Sequence, residues 1–219
     1  MASGGNQHQG EASLVPMLLV MTGVTRAIDA VSILRLGHVF VANMTGNVVF
    51  LGFALARASG FSVSASLVAL GAFLAGAAIG GRLAPLAPRR ALARMATSEA
   101  VLVIVAAAVA AAATGTVARY VMTTLLALAM GGQNAIARKL AVPDLTTTVL
   151  TLTLTGLAAD RPDLSKPNSH SARRFAAVTA MLAGAVLGAL LVLNTSPAWA
   201  LGGAAVPLLA VAGAARYAK

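Results

Sequence analysis

Phe73, Leu74, Ala75, Gly76, Ala77, Ala78, Ile79 and Gly80 form an apolar stretch with glycines four apart. Met181, Leu182, Ala183, Gly184, Ala185, Val186, Leu187 and Gly188 repeat it 108 residues later. On the N-terminal side, Met44, Thr45, Gly46 and Asn47 are answered after 106 residues by Leu150, Thr151, Leu152 and Thr153, and Asp29 is answered after 105 by Asn134. Offsets that drift by a residue or two are what small loop insertions leave behind in a duplicated unit. The chain therefore reads as two related repeats, residues 14–116 and 117–219, behind a polar N-terminal tail of residues 1–13.

Composition says where such repeats can exist. Of 219 residues, 58% are hydrophobic and 10% charged, and mean hydropathy is +0.85. Soluble domains carry roughly 25% charged residues, so a water-facing surface cannot be built from this chain. Apolar runs fall at about Leu14–Leu36, Val39–Ala56, Val63–Leu83, Ala96–Thr114, Val117–Ala137, Leu145–Ala159, Phe175–Leu193 and Pro197–Ala215. Turn formers and charges separate them, notably at Pro85 to Arg94, at Arg138 to Asp144 and at Asp160 to Arg174. An Ala-rich chain favours helix, and open strands leave unpaired backbone groups in lipid. The alternating Thr151, Leu152, Thr153, Leu154 and Thr155 is accordingly read as helix or broken helix. The expected fold is all-α, a polytopic transmembrane helix bundle.

Loop charge decides how many segments cross. With eight crossings, seven basic residues fall inside and eight outside, which is no bias. If the second and sixth segments instead enter and leave on one face, 12 fall inside, and only Arg35, Arg57 and Arg119 fall outside. These two segments are also the most polar, and irregular or polar backbone needs protein or water around it rather than lipid. Six full spans plus two re-entrant or broken segments, the halves inverted and both termini cytoplasmic, is the favoured topology; eight full spans is the alternative.

The stretch Arg26, Ala27, Ile28, Asp29, Ala30, continuing through Leu36, Gly37, His38, Val39, Phe40, Val41, Ala42, Asn43, Met44, Thr45, Gly46 and Asn47, resembles the YoaK-like family of bacterial membrane proteins. The second half agrees at Gly132, Gln133, Asn134 and Ala135, and at Val142, Pro143 and Asp144 before the Thr-rich run. Leu152 departs from the glycine expected after Thr151. The resemblance covers nearly the whole chain. It implies a multi-pass protein of the bacterial cytoplasmic (inner) membrane and no reaction, the family being one of unknown function.

Several residues stand out as candidates. Arg26 and Asp29 are three apart on one helical face, close enough to pair, and intramembrane charges generally face a bundle interior or an aqueous cavity. Asn43, Thr45, Gly46 and Asn47 place amides and a hydroxyl in the middle of segment two, and Thr151, Thr153 and Thr155 stand at the matching place in the second repeat. Gln133 and Asn134 extend the set from segment five. Polar groups at corresponding positions of two repeats point to a transporter's central site, although polar side chains also hold membrane helices together. Gly76 with Gly80 and Gly184 with Gly188 are close-packing signals, able to join helices of one chain or of a homodimer.

Other chemistry finds little support. A net charge of +10 with only 4% aromatics, scattered in short gaps, is loop charge rather than a nucleic-acid surface. Cysteine is absent, and His8, His38 and His170 have no ligands at metal spacing, so neither metal nor cofactor is expected. No phosphate loop or nucleophile elbow occurs, which speaks against an enzyme. The reading is an integral membrane transporter or channel for a small anionic or zwitterionic solute, with the lipid bilayer as partner. A membrane interaction or structural protein is the alternative.

Overall fold

The computed structural model describes residues 4–83, 87–140, 155 and 169–217, with side chains in α1 from Leu14 onward. Among these residues there are seven helices and no strand: α1 (Gly4–Arg35), α2 (Met44–Leu55), α3 (Val63–Leu83), α4 (Pro88–Ala112), α5 (Thr116–Leu140), α6 (Ser169–Asn194) and α7 (Pro197–Tyr217). Thr151 and Thr153, with most of the sixth apolar run, lie outside the described residues.

Helix ends depart from the apolar runs for local reasons. α1 begins inside the polar stretch expected as a tail. α4 starts eight residues before its apolar run, at Pro88, because proline suits the first helical position, where no N–H is needed. α2 covers only the later part of Val39–Ala56, since Asn43 caps it and residues 39–43 are not helical. At about 1.5 Å per residue its 12 residues span about 18 Å, short of the roughly 30 Å of a bilayer core.

Among the described residues, five helices are long and apolar enough to cross a membrane: α1 from Leu14, α3, α4, α6 from Ala172, and α7. α5 has the length, at 25 residues, but carries Thr123, Gln133, Asn134, Arg138 and Lys139. It buries Thr123 and Gln133 against its neighbours rather than presenting them to lipid. Large apolar side chains such as Leu74, Ile79, Leu182, Leu187, Trp199 and Val206 cover the outside of the bundle, the reverse of what water would select.

The helices pack mainly as α3 with α5, α1 with α6, and α4 with α7, while α4 also packs on α5 and α1 on α7. Glycine decides two of these seams by letting backbones touch. Gly76 lies on the backbone of Leu128 and Gly80 on that of Gly132, which runs α3 and α5 parallel. Gly184 lies on Gly23 and Gly188 on Ala27, which does the same for α6 and α1. The central core of Ile28, Leu92, Leu126, Met130, Leu201 and Leu208 joins α1, α4, α5 and α7.

Candidate functional site

Between α1 and α2 the backbone folds back into the bundle. Gly37 and His38, at φ +102° and +56°, turn the chain through the left-handed region, which only glycine enters without cost. The next residues run down to Asp29, whose Oδ1 accepts the N–H groups of Val41 at 3.1 Å and Ala42 at 3.0 Å. Asp29 stands six residues before the end of α1, so this backbone reaches about 9 Å below the helix terminus. From there α2 leads back out. His38 meets Phe61 near the start of α3, and Phe50 and Phe53 close the same aromatic cluster. The His38 and Phe61 rings, before and after the segment, lie 6.1 Å apart centre to centre.

Two side chains hold this loop. Asn47 is wholly buried; its Oδ1 accepts the N–H of Phe40 at 2.8 Å and its Nδ2 donates to the carbonyl of Phe40 at 2.6 Å. Asn43 Oδ1 accepts the N–H of Gly46 at 3.3 Å, and a side chain on Gly46 would strike the ring of Phe40, about 2.6 Å away. Thr45, by contrast, is exposed, as is Thr155.

Arg26 closes on Asp29 at 2.8 Å, so the carboxylate has the guanidinium on one oxygen and two backbone donors on the other. Asp29 belongs to a longer stripe. Thr22, Thr25, Asp29 and Ser32, at helical spacings of three, four and three, are all buried on one face of α1. Thr22 and Thr25 turn their hydroxyls to carbonyls one turn back, at 2.9 and 2.8 Å. Thr25 also reaches Gln133 of α5, its Oγ1 lying 3.1 and 3.0 Å from the two amide heavy atoms.

Gln133 carries the stripe into a third helix. With its amide nitrogen turned to α4, Gln133 donates to both oxygens of Glu99, at 3.3 and 3.2 Å, and its Oε1 accepts from Thr25 at 3.0 Å. Glu99 is 1% exposed, twelfth of 25 residues in α4. It does not figure among the residues singled out from sequence. Its signal was nevertheless present, for it is the one charged residue between Arg94 and Arg119. Asn134 points elsewhere. It donates to Met130 at 2.9 Å and lines a different cavity with Phe73, Arg138 and Lys139, because one residue turns a helix by about 100°. The structure thus brings Arg26, Asp29 and the 39–43 loop with its holder Asn47 together, links Gln133 to the same face of α1, and leaves Asn134 and Thr45 apart from them.

A model of the family described as protein of unknown function DUF1275 matches residues 17–214. The UPF0700 transmembrane protein YoaK of Bacillus subtilis (strain 168) is 35% identical over 156 residues. That match covers 68% of this chain and 66%, just under two thirds, of the relative. No solved structure matches.

Proposed function

From the premise that this chain is a multi-pass integral membrane protein belonging to the DUF1275 family, we propose that it transports a small anionic or zwitterionic solute through the bacterial inner membrane. The observation that carries this reading is the non-helical backbone of residues 39–43, folded back to buried Asp29. Irregular backbone at depth in a membrane bundle is tolerated where protein or a cavity surrounds it, and broken segments of this kind build transporter sites. Arg26 and the positive end of α2 contribute positive potential beside one carboxylate, which favours an anionic or zwitterionic solute over a cation. Arg26, Asp29, Asn43, Gly46, Asn47 and Gln133 would form or support the site.

The architecture behind this reading is a pair of inverted repeats, six spans with segments two and six re-entrant or broken, the sixth lying almost wholly outside the described residues. Its support is the register of the glycine seams. Gly76 and Gly184 are 108 apart, as are Gly80 and Gly188; their partners Leu128 and Gly23 are 105 apart, as are Gly132 and Ala27. One seam therefore maps onto the other when the halves are exchanged. Both termini on the cytoplasmic side follow from the 12 to 3 distribution of basic residues.

The test is uptake by proteoliposomes holding the purified full chain, with radiolabelled amino acids and small carboxylates as probes, preceded by a thermal-shift screen of the same compounds. Saturable uptake, and stabilisation growing with ligand concentration, is the expected outcome. A chain that neither takes up nor is stabilised by any of these solutes overturns the solute class. Polar groups that only hold helices together would then be the better reading.

A further inference from the structure

We propose that Glu99 is a proton-binding site of this bundle, and that the Gln133 amide together with the Thr25 hydroxyl reads whether the proton is present. As a coupling device it rests on the transport reading above; as a proton site it does not.

The argument begins with the cost of burial. An ionised carboxylate without a cation in an apolar interior is expensive, so such a group is tolerated chiefly where it exchanges a proton or meets a partner. The partners of Glu99 are neutral: Gln133 from α5 and, beyond it, Thr25 from α1. The charges on the packed helices are engaged or distant. On α1, Arg26 is paired with Asp29 at 2.8 Å. On α7, Arg216 donates to Thr97 at 3.0 Å. On α5, Arg138 and Lys139 stand more than a turn beyond Gln133, and on α4 Arg94 lies more than a turn before Glu99. No described cation stands within 4.0 Å of the carboxyl.

The amide suits both protonation states. With Nε2 toward α4 it donates to an ionised Glu99, and Oε1 accepts the Thr25 hydroxyl. Turned over, Oε1 can accept the O–H of a protonated Glu99 while Nε2 donates to Thr25, 3.0 Å away. Thr25 serves either orientation, since its oxygen is within hydrogen-bond distance of both amide atoms and Met21 offers a carbonyl at 2.8 Å when the hydroxyl must donate elsewhere. Proton gain at Glu99 is thereby linked to α1 four residues before Asp29, the residue that holds the re-entrant loop. The step is a simple acid–base exchange, in which the proton comes from water and returns to it. A cavity of about 490 Å³ between α3, α4 and α5 is lined by Arg94, Ser98 and Gly132 and comes within one residue of Glu99 on α4 and of Gln133 on α5, while neither of these two side chains lines it.

The experiment is infrared difference spectroscopy of the full chain in liposomes, stepped between about pH 5 and about pH 9. Only six acidic side chains, besides the terminal carboxyl, contribute carboxyl bands. A buried carboxylic-acid band that comes and goes with pH, is lost in Glu99→Gln and is shifted in Gln133→Leu is the expected result. Should Glu99→Gln fail to insert, Glu99→Asp, which keeps a carboxyl one methylene shorter, must displace the band. A spectrum without such a band, or one that keeps it in Glu99→Gln, overturns the site; a band indifferent to Gln133→Leu overturns the role of the amide. If the band titrates but no solute is taken up, the transport reading falls and the proton site stands. If uptake occurs with the same pH dependence in Glu99→Gln, the coupling falls.

Discussion

Asn47 engages both polar groups of Phe40, accepting its N–H and donating to its carbonyl, across seven residues of chain. A helical side chain thus replaces a missing backbone partner for the loop before it, which lets a non-helical stretch survive inside an apolar bundle. Replacing Asn47 with Leu leaves both groups of Phe40 unpaired and should cost about 2–6 kcal/mol at roughly 1–3 per orphaned group. The expected result is a markedly lower midpoint in detergent thermal unfolding, with Asn47→Asp intermediate because it keeps an acceptor for the N–H. An unchanged midpoint for Asn47→Leu would remove Asn47 from the loop's support and return it to the candidates for direct solute contact.

Asp29 joins α1 to the loop before α2 and holds Arg26 through one carboxylate. Asp29→Ala strips the acceptor from Val41 and Ala42 and leaves Arg26 without its carboxylate, a loss of about 3–5 kcal/mol for a broken buried pair. Asp29→Asn keeps a carbonyl oxygen for the two N–H groups but forfeits the charge and the acceptor for Arg26, toward which its amide NH2 then points. Folded yield and thermal midpoint should therefore rank wild type above Asn and Asn above Ala. Equal midpoints for the two variants would mean that the backbone bonds contribute nothing.

The glycine seams make a paired prediction. Gly76→Ala and Gly184→Ala each place a methyl against rigid backbone, of Leu128 and of Gly23 respectively. Overpacking of this kind costs about 1–3 kcal/mol. Gly71→Ala has open space around it and gains helix propensity, so it should be neutral or slightly stabilising. Thermal midpoints of the three variants decide it; a Gly71→Ala as damaging as the other two would show that the seams are not what sets the cost.

Topology can be read by single-cysteine labelling, since the chain has no native cysteine to compete. An impermeant external reagent should label a cysteine at Gly60 or Gly115 and leave one at Arg90 or Ser169 protected. Labelling at Ser169 from outside, with Arg90 protected, would restore eight full crossings.

Much of the fold was legible because lipid removes choices. A chain this apolar must satisfy every backbone group within its own segments, so helices follow without knowledge of any neighbour. The pairing of Arg26 with Asp29 is similarly local, set by three residues of helix. Less legible was the short α2. Val39–Ala56 is apolar enough to pass as one span, and it is Asp29, from another segment, that accepts the N–H groups of the non-helical Val41 and Ala42.

The sequence by itself determined a helical, multi-pass membrane protein, the spacing of its small residues and the polarity of segment two, since each depends on composition or on neighbours a few residues away. Tertiary structure alone decided which backbone each glycine meets, that Gln133 turns to Glu99 while Asn134 turns away, and that Glu99 belongs beside Thr25 at all. Thr25 and Gln133 are 108 residues apart, and Glu99 lies on a third helix. Periodicity gives a helix its faces, but which helix each face meets depends on crossings among α1, α4 and α5 that no local pattern encodes.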